Sequence, residues 1–410
     1  MKAGYVLLDG CGDRPDPRLN YTTPLEAAYT PNLDVLARGS RLGSVVTVGR
    51  GISPESDIAV FNMLGYSFAE GYPGRGVIEA VGAGLKFRKG DLALRANFAS
   101  AKGRKIVDRR AGRNLTQEEA VALSEELSHV RLSGADFEFR ATVSYRAVLV
   151  IRDRTPLSAA LSNTDPAYAR VGGFGAAKET KPGEEIAKCV PEDGSQAANR
   201  AAQLVNEFTD KSLKVLSRSE VNTSRVAEGK LAANCVLLRD AGDHLPNVAP
   251  FEEKYGMKGT ALVELPAEVG IARLLGMKMV KVKDSNDMKE KASLFRSEFR
   301  EGRVVYVHIK GPDEFGHDGD VAGKMKCIEG LDRDFFSVLG KLAGSGRVGI
   351  SCDHATPCAL KMHSDDPVPL LISSEEKADR MRFNEKNAQK GSLGQMMGKD
   401  VLGRMLSVGH

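Results

Sequence analysis

Tyr5-Val-Leu-Leu-Asp9-Gly10 is a run of four apolar residues that ends on an acid and a glycine. A continuous apolar run this short reads as a strand buried on both faces, as in a parallel sheet, with a polar residue at its C-terminal end. The pattern recurs. Val304-Val-Tyr-Val-His-Ile-Lys310 leads to Asp313, and Val348-Gly-Ile-Ser-Cys352 leads straight into Asp353-His354. Other strand candidates lie at 235–238, 261–265 and 279–282, with helical spacing over 267–275, 288–299 and 321–342. Strands alternating with helices predict an α/β fold, a mostly parallel sheet flanked by helices on both faces. Ligands of such sheets bind beyond the carboxyl ends of the strands. Asp9, Asp313 and Asp353 all stand at such ends, so they are expected to share one site despite their separation in sequence.

Working outward, a helix is predicted over 32–37, a strand over 44–48, and a glycine-rich loop at Gly49-Arg-Gly51. Ser56 then opens a helix with apolar residues at Ile58, Ala59, Phe61, Met63 and Leu64. The middle of the chain differs. Residues 92–98 alternate like a strand. Thr116-Gln-Glu-Glu119 is a capping box that opens a helix to about His129. Residues 137–151 read as a hairpin with its turn near Ser144, and 195–216 as a long helix. Loops are predicted at Gly172-Gly-Phe-Gly175 and Lys181-Pro-Gly183. This is material for a smaller α+β domain, 91–222, inserted into a core made of 1–90 and 223–410.

Composition narrows the class. A chain of 410 residues with 42% hydrophobic content has enough apolar material for a large core and predicts two domains. The formal net charge is only +4, from 58 basic against 54 acidic residues, which argues against a nucleic-acid partner. Cys11, Cys189, Cys235, Cys327, Cys352 and Cys358 are scattered with no Cys-x-x-Cys pair, so free thiols in a reducing cytoplasm are expected. Met1-Lys-Ala-Gly4 leads directly into the first strand, without a signal-peptide core. No run of about 18 apolar residues predicts a membrane span. Neither a Walker A motif nor a Gly-x-Gly-x-x-Gly after the first strand occurs, so nucleotide cofactors are not expected.

The chemistry-bearing residues point to phosphoryl transfer. In Asp313-x-x-x-His317 the four-residue spacing brings both side chains to one ion on a helical turn. Asp353-His354 ends a buried strand and needs partners, of which a metal is one and a backbone cap another. His363 stands in a loop before another strand. Ser56 is either an activated nucleophile or merely a helix cap, and helix N-termini favour bound phosphate. Carboxylate, imidazole and hydroxyl donors suit manganese, magnesium or zinc, and two such ions about 3.5–4 Å apart clamp the oxygens of a phosphoryl transfer.

A resemblance then emerges. Asp9-Gly, Ile52-Ser-Pro-Glu-Ser-Asp57, Gly74-Arg-Gly-Val-Ile-Glu-Ala80, Asp313-Glu-Phe-Gly-His-Asp-Gly319, Asp353-His-Ala-Thr-Pro357 and His363-Ser-Asp-Asp-Pro-Val-Pro369 resemble, in order, the archaeal-type cofactor-independent phosphoglycerate mutases of the alkaline phosphatase superfamily. Leu94-Arg-Ala-Asn-Phe98 and Ile106-Val-Asp-Arg-Arg-Ala-Gly-Arg113 fit the same pattern. The resemblance implies an alkaline-phosphatase-like sheet and two divalent ions, one held by Asp313, His317 and His363. The other would be held by Asp9, Asp353, His354 and the Ser56 hydroxyl. Manganese is expected, with magnesium, cobalt or zinc as alternatives and no 2,3-bisphosphoglycerate. It further implies that Ser56 takes the phosphate of 3-phosphoglycerate and returns it to the 2-hydroxyl, in glycolysis and gluconeogenesis, while the inserted domain excludes water. The substrate is a small anion, so Arg75, Arg154, Arg273 and Lys310 are expected to bind it. A monomer or small homo-oligomer is expected, with a phosphohydrolase or another phosphomutase as the alternative activity. Ser67-Phe68 and Val269 depart from the family, whose members often carry Asp-Pro at the first place and commonly arginine at the second.

Overall fold

A computed structural model describes the chain except residues 69–70, 172–173, 178–182, 285, 374–376 and 408–410. It divides into two compact units. One comprises Met1–Ser67, Val248–Glu264 and Leu275–His410, the other Phe68–Asn247 and Leu265–Leu274.

The first unit is an eight-stranded sheet. Its order is Lys278–Lys281, Lys258–Val263, Arg303–Ile309, Lys2–Leu8, Arg347–Cys352, Val368–Ser373, Ser40–Val46 and Gly394–Met397. The first five strands run parallel; Val368–Ser373 is antiparallel to both neighbours. The fold class is therefore α/β with a mostly parallel sheet, as the alternation of strands and helices predicts. Tyr5, Val6, Leu7 and Leu8 are at most 1% exposed, so both faces of the central strand are covered. Each such apolar side chain contributes on the order of 1.5–3 kcal/mol when buried. Leu8 is in register with Ile309 on one side and Cys352 on the other. Three parallel strands thus end level, and Asp9, Lys310 and Asp353 emerge side by side.

The second unit holds an antiparallel sheet. Leu92–Lys102 pairs with Lys105–Asp108, Arg146–Arg152 and Cys235–Gly242, and Asp136–Ala141 pairs with Arg146–Arg152. The hairpin turn contains Ser144 at φ 55°, as expected near that residue. The capping box closes as predicted, with Thr116 N–H donating to Glu119 Oε2 (2.8 Å) and Glu119 N–H to Thr116 Oγ1 (3.2 Å). Leu94, Phe98, Leu123, Leu149 and Phe208 share the core of this unit, the last from the long helix Gln196–Leu216.

Four local readings change. The strand expected at 44–48 runs Ser40–Val46, because pairing with Val368–Ser373 recruits the polar Ser40-Arg41 that carries no apolar signal. The strand read at 235–238 extends to Gly242 and joins the antiparallel sheet on Leu92–Lys102, not the parallel series after it. The helix over 321–342 is Val321–Leu331 and Ser337–Leu342 around a wide turn at Asp332–Phe336. There Asp332 accepts the N–H groups of Asn32 (3.2 Å) and Leu33 (2.7 Å), capping the helix Pro31–Arg38. In the loop expected at 172–175, Phe174 begins a short strand, Phe174–Ala177, paired with Tyr168–Val171, while Gly172 and Gly173 lie outside the described residues. Lys181 and Pro182 of the other predicted loop also lie outside them.

Candidate metal centre and nucleophile

The level strand ends put the acids within reach of one another. Gly10, just past the central strand, has φ +57°, and a Cβ there would lie 2.4 Å from Asp313 Oδ1 and 2.6 Å from Thr356 Oγ1. Only glycine fits so close an approach. Asp313 and His317 sit on the single helix Pro312–Asp318, as the four-residue spacing requires. Three sets of donor atoms converge within 4.8 Å: Asp313, His317 and His363; Asp9, Asp313 and His354; and Asp9, His308 and Asp353.

The first set fits a cation closely. His317 Nδ1 faces the carbonyl of Lys361 (3.1 Å) and His363 Nδ1 that of Pro54 (2.8 Å), so both rings carry their hydrogen on Nδ1. Their Nε2 atoms therefore face each other at 3.2 Å, with Asp313 carboxylate oxygens 3.4 and 3.5 Å away. Two ring nitrogens and a carboxylate converging this closely form a donor set for one cation, and backbone-anchored imidazoles are the usual arrangement of metal-binding histidines.

Ser56 is not a helix cap. It is the first residue of the helix Ser56–Met63, whose capping position is Glu55. Its Oγ lies 3.1 Å from His354 Nε2 and 3.4 Å from Asp9 Oδ1. Asp353, fully buried, accepts Gly10 N–H on Oδ1 (3.0 Å) and faces His308 Nε2 with Oδ2 (3.1 Å). His308 is absent from the sequence-based candidates, because it sits inside the apolar run 304–310; a lone polar residue next to the end of such a run is the signal for it.

The electrostatics favour ionised carboxylates at Asp9 and Asp313. Burial works against the Asp9 charge, but Lys310, His308 and His354 hold its pKa well below the ordinary value. Burial and Asp9 also oppose Asp313, yet the hydrogen bond from His363 and the charges of His354 and His363 keep its pKa lowered. Burial disfavours a charged His354, but Asp353, Asp9 and Asp313 raise its pKa to about 9. Burial and Lys310 disfavour charge on His308, and Asp353 and Asp9 outweigh them.

Of the basic residues named for a substrate, Lys310 stands at this centre, its Nζ donating to Asp9 Oδ2 (2.7 Å). Arg75, Arg154 and Arg273 belong to the other unit. Arg154 is exposed, and Arg273 Nη1 donates to the Val81 carbonyl (2.7 Å). Arg75 joins a cluster in which it and Arg95 each approach Glu79 Oε1 at 3.0 Å. Arg95 and Arg239 approach Asp240, while Arg109 and Arg239 flank Asp165 and overlie the Tyr168 ring.

A family model described as 2,3-bisphosphoglycerate-independent phosphoglycerate mutase matches residues 37–222. The chain is 41% identical to an Aeropyrum pernix protein of that name, over 97% of both chains. It is 39% identical to one from Methanopyrus kandleri, over 97% of this chain and 94% of the other. A solved structure described as a cofactor-independent phosphoglycerate mutase from Thermoplasma acidophilum matches with a TM-score of 0.65 at 30% identity, covering 100% of each chain. Among the described residues, no helix is long and apolar enough to cross a membrane.

Proposed function

The chain belongs to the 2,3-bisphosphoglycerate-independent phosphoglycerate mutases, a family of isomerases, and on that premise we propose that it interconverts 3- and 2-phosphoglycerate in the cytoplasm through a phosphoserine at Ser56. The observation that carries the reading is the position of Ser56 Oγ, 3.1 Å from His354 Nε2 at the first turn of a helix.

Asp313, His317 and His363 would hold one divalent cation; Asp9, Asp353, His354 and Ser56 would hold the second, manganese first among the alternatives. Bound there, the ions would lower the pKa of the Ser56 hydroxyl and neutralise phosphate charge. Ser56 Oγ attacks the phosphorus of 3-phosphoglycerate; the Oγ–P bond forms, the bond to the 3-oxygen breaks, and the proton lost by Ser56 passes to that oxygen. The glycerate turns, its 2-hydroxyl takes the phosphate back, and Ser56 regains its proton. Backbone N–H groups of the first helical turn from Ser56 favour the phosphate as it arrives. Water must be kept from the phosphoserine, or hydrolysis competes with return transfer.

Lys310 supports recognition of an anion beside Asp9. In the other unit, Arg75, Arg95, Arg109 and Arg239 gather with Glu79, Asp165 and Asp240. Arginine forks of this kind suit a carboxylate or phosphate ligand. Arg154 and Arg273 remain candidates of the same class.

Purified protein assayed on 3-phosphoglycerate without 2,3-bisphosphoglycerate, with EDTA and then with manganese, tests the proposal. Metal-dependent formation of 2-phosphoglycerate with little free phosphate is expected. Free phosphate without isomerisation would make the protein a phosphohydrolase; no turnover with any divalent metal would reject both activities.

A further inference from the structure

Thr356 takes no part in the chemistry above, yet its hydroxyl sits between the two ligand sets. Oγ1 donates to Asp313 Oδ1 at 2.6 Å and lies 3.1 Å from His354 Nδ1. A hydroxyl has one hydrogen. Given to Asp313, in a bond as short as those to ionised carboxylates, it leaves only lone pairs for His354, so His354 Nδ1–H must donate. The lone pair of a neutral His354 then lies on Nε2, the atom facing Ser56 Oγ and Asp9 Oδ1. One side chain thus orients a ligand of each proposed ion.

The surroundings hold that side chain still. Thr356 is 0% exposed. Its N–H donates to the Gly12 carbonyl (3.0 Å), and its carbonyl accepts from Lys324 Nζ (2.9 Å). Lys324, itself 0% exposed, also donates to the Gly12 carbonyl (3.2 Å) and to Asp13 Oδ2 (2.8 Å). The loops after the central strand and after Arg347–Cys352 are therefore tied together beneath Thr356. A Cβ on Gly316, in the helix that carries Asp313, would meet the Thr356 carbonyl oxygen at 2.4 Å, so that helix is seated directly on it.

We propose that Thr356 is a positioning residue that bridges the two cation sites, fixing the hydrogen of His354 on Nδ1 and the orientation of Asp313 with one hydroxyl. This rests on the two-cation reading of the site. The bridge couples the sites: disorder at Asp313 reaches His354, and the reverse.

Thr356→Val keeps the shape and removes the hydroxyl; Thr356→Ser keeps the hydroxyl. Manganese binding is followed by titration calorimetry on each protein, together with kcat, KM and the thermal midpoint of the metal-free form. Wild type is expected to bind two ions. Thr356→Val should weaken both binding steps by about 10-fold or more, the usual effect of losing an outer partner of a metal ligand. It should lower kcat more than it raises KM. Thr356→Ser should stay within about 3-fold of wild type on the same scale. If Thr356→Val does not fold, Thr356→Ala against Thr356→Ser reads the hydroxyl in its place. Unchanged affinities in Thr356→Val, weakening of one step alone, or a loss confined to the thermal midpoint would overturn the bridge while leaving the function standing. Failure of the wild type to bind a pair of ions would reject the two-cation site, and the bridge with it.

Discussion

Replacing Glu385 by glutamine is expected to stabilise the protein above neutral pH and to do nothing comparable below pH 5. The Glu385 carboxylate accepts Asp13 N–H on Oε1 (3.1 Å) and the Thr23 hydroxyl on Oε2 (2.7 Å), against buried Asp13 and Thr23. Burial pushes its pKa from 4.5 to about 7, more than these bonds pull it down. The folded form therefore binds a proton that the unfolded chain has released between those two values. Stability from this group is full below pH 4.5, falls as pH rises, and is lost above about 7. A shift of 2.5 units is worth roughly 3.4 kcal/mol at 1.36 kcal/mol per unit. The residue keeps some exposure, so about 2 kcal/mol is the better figure after solvent screening. Glutamine cannot ionise and retains an oxygen for Asp13 N–H. Its amide cannot accept from Thr23, which costs on the order of 1 kcal/mol at every pH. The quantity to measure is thus the change in the mutant–wild-type difference between pH 4.5 and pH 8. Urea unfolding of metal-free Glu385→Gln and wild type at both values should give a change of about 2 kcal/mol in favour of the mutant at pH 8. A difference that is constant with pH would refute the reasoning.

Three further outcomes are expected. Ser56→Ala should cost roughly 10³-fold or more in isomerisation while manganese still binds in calorimetry, since the loss is of the nucleophile; retained turnover would remove the phosphoserine. Lys324→Met leaves the Asp13 carboxylate buried without its cation and should destabilise by about 3–5 kcal/mol in urea unfolding; a loss under about 1 kcal/mol would mean that Asp13 finds another partner. Manganese affinity should rise about 10-fold per pH unit up to pH 9 and then level off, because a His354 with pKa near 9 must lose a proton to become a ligand; a flat profile over pH 7–9 would contradict that protonation.

The sheet is legible because burial on both faces leaves a mostly apolar signature at Tyr5–Leu8, 304–309 and 348–352. The acids are legible because Asp9 and Asp353 follow such runs at once and Asp313 stands four residues past one. What hides a residue is a three-dimensional partner. His308 reads as strand, yet it faces Asp353 and Asp9. Lys324 lies inside the helix read over 321–342 with nothing local to mark it, yet it is sealed against Asp13 and two carbonyls. Asp332 reads as mid-helix and instead caps another helix some 300 residues earlier. Each of these depends on long-range approach that no local pattern encodes.

The central position of Lys2–Leu8 carries a consequence for biosynthesis. This strand is synthesised well before its neighbours, which begin at Arg303 and Arg347. At about 5–20 residues per second, roughly 15–60 s pass before the first partner exists. Throughout that interval a strand with the apolar run Tyr5–Leu8 has nothing to pair with, while Leu92–Lys102 and its hairpin neighbour are already complete. The order of synthesis favours early folding of the second unit and late closure of the first, with Lys2–Leu8 left unpaired until Arg303–Ile309 and Arg347–Cys352 have been made.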